Sequence, residues 1–141
     1  MLESHEFELL RCIGNVISFC AYLGLFTLLL SAFFYSYTKF TSLDEWSLIK
    51  QNNEAAAIAF SGATLGFVIA LTTAFKVSIS IVDFILWGSL AILVQCVNFQ
   101  VVHFTIPNLT ADLQKGYKAK AIFLASTSLS AGLMNAAALF Y

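Results

Sequence analysis

Four long uncharged stretches, a composition too apolar for water and a match of the chain with itself predict an all-α membrane protein. The expected fold has four transmembrane helices as two two-helix repeats of the same orientation, plus a short amphipathic interfacial helix in the first loop. The chain has 141 residues, 60% of them hydrophobic and 11% charged, against about 45–50% and about 25% in soluble domains. The uncharged stretches run from Cys12 to Thr38, Ala55 to Phe75, Phe84 to Ala111 and Ala121 to Tyr141. A hydrocarbon core about 30 Å thick needs roughly 20 helical residues. Only helices or closed barrels satisfy every backbone group there, and these runs are too long and continuous for barrel strands.

The first stretch is expected to remain as a membrane helix. Residues 1–11 carry Glu3, Glu6 and Glu8 against Arg11, the reverse of the cationic start of a cleaved signal. They are expected to form a short extracytoplasmic tail. A net charge of −1 without a basic block excludes nucleic acid, whose binding rests on phosphate neutralisation. Cys12, Cys20 and Cys96 are odd in number and lack metal-ligand spacing, so no metal or cofactor is expected; Cys20 and Cys96, within apolar runs, read as small packing residues.

Sliding the chain against itself gives a gap-free match at an offset of 64 residues, the distance from Gly24 to Gly88. Phe40-Thr41 falls on Phe104-Thr105, Ala57-Ile58 on Ala121-Ile122, Leu65 on Leu129 and Ala74 on Ala138. The repeats are therefore placed at 12–77 and 78–141. An even number of spans in each makes both insert the same way round. Lys39, Lys50, Lys115, Lys118 and Lys120 hold or flank the loops after the first and third helices, whereas Arg11 and Lys76 lie towards the other side. Basic residues in short loops stay cytoplasmic, which puts both loops inside and both termini outside. Trp46 and Tyr117 near one face, and Trp87 and Tyr141 near the other, suit interfacial belts.

Within the first loop, Ser42-Leu43-Asp44-Glu45 has the form of a capping box, and Leu43, Trp46 and Ile49 follow at helical spacing. An amphipathic helix is expected there, ended by Asn52-Asn53, with Asn53 able to cap the second membrane helix. Pro107, the sole proline, marks the end of the third.

The run from Asp44 to Ile69, with Gln51-Asn52-Asn53-Glu54-Ala55-Ala56-Ala57 and Phe60-Ser61-Gly62-Ala63-Thr64-Leu65-Gly66 at its centre, resembles the signature of the YjfL family of bacterial inner membrane proteins. The resemblance extends through Val82-Asp83-Phe84 and Trp87-Gly88 to the small-residue C-terminal helix. It implies a bacterial inner-membrane location, a duplicated two-helix unit, a loose link to envelope maintenance and no established activity. The chain departs from that pattern at Ala70, where proline is common, and at Tyr117, where asparagine is.

Three groups of residues are candidates for function. Gly62 and Gly66 form a GxxxG continued by Ala70, with Ser126 and Ser130 as repeat mates; such spacing lets backbones approach, either between protomers or within one. Gln95 and Asn98 share a face of the third helix and Asn135 lies in the fourth. Amides at membrane depth either line a solute path or pin helices together. Glu45, Lys50 and Glu54, with Lys50 and Glu54 four residues apart, make the first loop mixed in sign; together with Trp46 and Asn53 it is read as a solvated face or a docking surface for a cytosolic protein. His103 reads as a polar end at the inner surface. With no paired membrane carboxylates, no nucleophile beside a base and no phosphate-cradling loop, an enzyme is not expected. The leading expectation is a homo-oligomeric scaffold or interaction protein in the lipid bilayer; the alternative is a channel or small-solute transporter subunit whose path the amides line.

Overall fold

The computed structural model describes residues 2–140; Tyr141, expected in an interfacial belt, lies outside them. Six helices follow in order: α1 (Leu2–Thr41), α2 (Glu45–Lys50), α3 (Glu54–Val77), α4 (Ile81–Thr105), α5 (Leu109–Gln114) and α6 (Lys118–Ala138). The chain is all-α among these residues. Helices α1, α3, α4 and α6 are long and apolar enough to cross a membrane; α1 and α3 contain the first two uncharged stretches whole, while the third runs on past α4 into α5 and the fourth past the end of α6. Ala70 sits buried within an unbroken α3, so the second membrane helix has no kink at that position.

Boundaries recur at the sequence offset. Helices α1 and α4 end at Thr41 and Thr105, α2 and α5 start at Glu45 and Leu109, and α3 and α6 start at Glu54 and Lys118, 64 residues apart in every case. The stops of the two short helices also correspond. Asn52 and Gly116 both take positive φ, at 61° and 86°, a conformation that asparagine and glycine tolerate best. Each short helix is closed by an amide reaching five residues back, Asn53 N to Leu48 O at 2.9 Å and Tyr117 N to Asp112 O at 3.0 Å. This is the Schellman arrangement, which satisfies carbonyls that the helix end leaves free.

Residues 2–11 continue α1 without a break, with neither glycine nor proline to interrupt it. Two sequence expectations need correction here. The cap of α2 is Asp44, whose carboxylate accepts from Ser47 N at 3.2 Å; Ser42 takes positive φ instead, so the capping box fails. Finally, α2 does not present Glu45 to solvent: that side chain is buried, 3% exposed, because α2 docks against the end of the helix bundle. Trp46 leans edge-on against Phe34 and Phe60.

At about 1.5 Å per residue α1 would be about 60 Å long, while α3, α4 and α6 would be about 32–38 Å. Only its second half meets the bundle. Phe26 packs on Phe75 and Phe84, Phe33 stacks on Phe67 at 4.5 Å, and Tyr37 meets Phe60 and Phe99. Residues 4–24 are exposed throughout.

Candidate functional site in the helix core and at the short-helix end

Helices α3 and α6 approach most closely, and small residues are the reason. A Cβ on Gly62 would lie 2.4 Å from Ala125 Cα, one on Gly66 would lie 2.2 Å from Ser128 O, and one on Gly132 would lie 2.1 Å from Gly66 O. No side chain fits at those separations. The GxxxG of α3 therefore serves packing within the protomer, between the two halves of the chain. Its repeat mates, expected to pack likewise, do not: Ser126 and Ser130 are exposed and bond to their own helix at Ile122 O and Ser126 O. Sequence equivalence fails to predict contact because α3 and α6 meet through faces that are not related by the offset. Ala125, Ser128 and Gly132 take the place assigned to Ser126 and Ser130.

The same crossing holds the membrane amides. Gln95, near the middle of α4 and 1% exposed, donates from Nε2 to Ser128 O at 3.0 Å. Asn98, one turn on, donates to Ser128 Oγ at 3.1 Å and to Thr127 Oγ1 at 3.4 Å. Both α4 amides thus end on α6, beside Gly66 of α3, and three helices meet at one polar node. Asn135 is half-buried and stands apart from it. Interhelical hydrogen bonds of this kind are worth about 0.6 kcal/mol on average in membranes. Gln95 Oε1 is buried without a partner, which offsets part of that gain. Gln95→Leu is therefore expected to cost only about 0.5–1.5 kcal/mol and to leave solute permeability of liposomes unchanged, as measured by detergent unfolding and by flux. Increased flux in the variant would place Gln95 on a path.

The second concentration of polar contacts lies at the short-helix end. Asn53 caps α3 by accepting from Ala56 N at 3.0 Å, as its sequence position predicts. Its Nδ2 also donates to Leu113 O at 3.0 Å and Gln114 O at 3.1 Å, so one side chain closes the start of α3 and the end of α5. Tyr117, the equivalent residue of the second half, heads α6 without any side-chain cap. Glu54 pairs with Lys118 rather than with Lys50, which is exposed. Lys120 pairs with Asp112 and donates to Pro107 O at 2.7 Å. His103 stacks on Phe99 and meets Thr110 Oγ1 at 3.3 Å. Cys96 is buried, while Cys12 and Cys20 are exposed on α1, so Cys20 is not the packing residue expected. Among the described residues no three His, Cys, Asp or Glu side chains are grouped to hold a metal ion.

Buried beneath α2, the Glu45 carboxyl meets the Thr41 hydroxyl through Oε1, and Oε2 is buried without a partner. Burial pushes its pKa above the ordinary 4.5, with Asp44 adding to the rise and hydrogen bonds from threonine opposing it. Sequence reasoning missed this site because a loop glutamate reads as solvated. Thr41, four residues earlier, was the available signal.

Residues 11–139 match the model of a family described as Domain of Unknown Function (DUF350). The chain is similar to the UPF0719 inner membrane protein YjfL of Escherichia coli strain K12, with 34% identity over 128 residues covering 91% of this chain and 97% of that protein. The protein of the same name from Escherichia coli O157:H7 matches with the same identity and coverage. No solved structure matches.

Proposed function

The chain belongs to the DUF350 family, and from its geometry we propose that this multi-pass inner membrane protein is a non-enzymatic scaffold that self-associates through the free face of its first helix. The observation that carries this reading is the division of α1 into two faces. Tyr22, Phe26, Phe33 and Tyr37 face the bundle. At about 100° per residue, Ile13, Ile17, Cys20, Gly24 and Ser31 lie on the opposite side, and all are exposed. A Cβ on Gly24 would meet nothing within 4 Å, so its lack of a side chain serves no contact inside the protomer. Close approach of a second α1 is what such a glycine permits in a membrane.

The polar node supports a scaffold over a transporter. Gln95 and Asn98 are engaged with α6 in a core where backbones touch, which leaves them no part in a path. The recurring boundaries support a duplicated hairpin with both halves inserted alike. The lysine-bearing end, with α2 and α5, lies in the cytoplasm and both termini lie outside. Trp46 and Lys50 are exposed at that end, where a cytosolic partner would meet them.

Gly24→Leu tests the interface, because it adds bulk only to the free face. Wild-type protein in native-membrane nanodiscs is expected to run as a multimer, and the variant as a folded protomer of unchanged helicity and thermal stability. A wild type that is monomeric at all densities, or a variant that stays multimeric, would reject α1 as the contact.

A further inference from the structure

We propose that Glu45, Thr41 and Tyr37 form a buried proton-binding site, completed by one water, that holds α2 against the bundle. The first support is the inventory of the Thr41 hydroxyl. It lies 3.4 Å from Leu43 N, 3.3 Å from Thr38 O and in hydrogen-bond contact with Glu45 Oε1. A hydroxyl has one proton to donate and two lone pairs with which to accept. Leu43 N can only donate, and Thr38 O can only accept. All three contacts are satisfied together when Thr41 donates to Thr38 O and Glu45 carries a proton that it donates to Thr41 Oγ1.

The second support is the cavity on the other side of the carboxyl. Glu45 and Tyr37 line it together with apolar side chains such as Ala59, Phe60 and Leu113. Glu45 Oε2 and Tyr37 Oη are both buried without a partner, and their residues are 3% and 2% exposed. The space accommodates about one water. A water there accepts from the tyrosine hydroxyl and donates to Oε2, now the carbonyl oxygen of a neutral acid, and both orphaned oxygens are satisfied.

No base lines the cavity to compensate a carboxylate. The titratable groups facing the pair are Asp44 at the head of α2 and Cys96 on α4; α3, α5 and α6 contribute alanine, phenylalanine and leucine. Removing the proton leaves a buried, uncompensated negative charge, which burial strongly disfavours. A carboxyl whose pKa is raised on docking favours the docked state fully below its ordinary value and loses that preference as pH rises through the raised one. The expected response is release of α2 on alkalinisation, with Trp46 leaving Phe34 and Phe60. This site does not rest on the self-association of α1.

The test uses full-length Trp87→Phe protein in lipid nanodiscs, so that Trp46 alone reports. Its emission is expected to change in one step whose midpoint lies above the ordinary glutamate value, together with loss of amide-exchange protection over residues 45–50. Glu45→Gln, which mimics the neutral acid, is expected to abolish the step and keep Trp46 at its acidic-end emission. Tyr37→Phe is expected to move the midpoint upward, because a donor to the carboxylate is lost. Absence of a step in the parent protein, a step that persists in Glu45→Gln, a step that follows sodium concentration at fixed pH, or a large loss of stability in Glu45→Gln would each overturn the proposal.

Discussion

Gly132→Ala is expected to be among the most damaging single-methyl changes in this protein. The added carbon would lie 2.1 Å from Gly66 O and 2.5 Å from Gly66 Cα, against backbone that cannot rotate away. The helices must separate, and the whole α3–α6 seam loosens with them. Overpacking costs typically about 1–3 kcal/mol and occasionally more; contact with backbone at the centre of the seam puts this substitution at the upper end. Gly66→Ala is expected to behave alike, since its Cβ would meet Ser128 O at 2.2 Å and Gln95 Nε2 at 2.6 Å. It would also displace Gln95 from its bond to α6. Gly14→Ala, with nothing within 4 Å, is the matched control and is expected to be slightly stabilising through helix propensity. Unfolding of all three in mixed micelles checks the ranking, and equal stabilities would mean that α3 and α6 are not in backbone contact.

Asn53→Ala is expected to show the next largest effect, because one side chain serves two helix ends. Loss of the α3 cap costs about 0.5–2 kcal/mol. The two bonds to Leu113 O and Gln114 O add about 0.5–1.5 kcal/mol each in a buried setting and less here, where the Gln114 bond is exposed. A total of about 2–3 kcal/mol follows. Amide exchange is expected to rise at the start of α3 and around residues 109–116 together, although the two segments are 60 residues apart in the pairing Asn53 to Leu113. The reciprocal change, Tyr117→Asn, supplies a cap that α6 lacks and is expected to stabilise by about 1 kcal/mol. A rise in exchange confined to α3 in Asn53→Ala would show that the link to α5 carries no weight.

These two sites mark where the sequence was legible and where it was not. The membrane helices were legible because exclusion of charge is a strong signal in a bilayer, and Asn53 was legible as a cap because its position before Glu54-Ala55-Ala56 follows local rules. Its second role was not, since nothing local connects residue 53 to the carbonyls of 113 and 114. Helix α5 was missed although Leu109 and Leu113 stand four apart and are buried; six residues give too little periodicity, and the clue was the offset, which carries α2 onto it. Ser126 and Ser130 were misplaced because duplication copies positions, not the face through which two helices meet. A charged loop residue such as Glu45 reads as solvated, and only tertiary packing of α2 takes it out of water.

Self-association through α1 can be read from the native thiols. Cys20 lies on the free face beside Gly24, Cys12 lies away from that face, and Cys96 is buried. Mild oxidation of the wild type in native membranes is expected to yield a covalent dimer, because a disulfide needs its Cβ atoms about 4 Å apart and an interface at Gly24 brings the two Cys20 residues to that range. The dimer is expected to vanish in Cys20→Ser and to persist in Cys12→Ser and Cys96→Ser. A chain that yields no cross-link through Cys20, while single cysteines introduced on other faces of the bundle do cross-link, would contradict a scaffold built on α1.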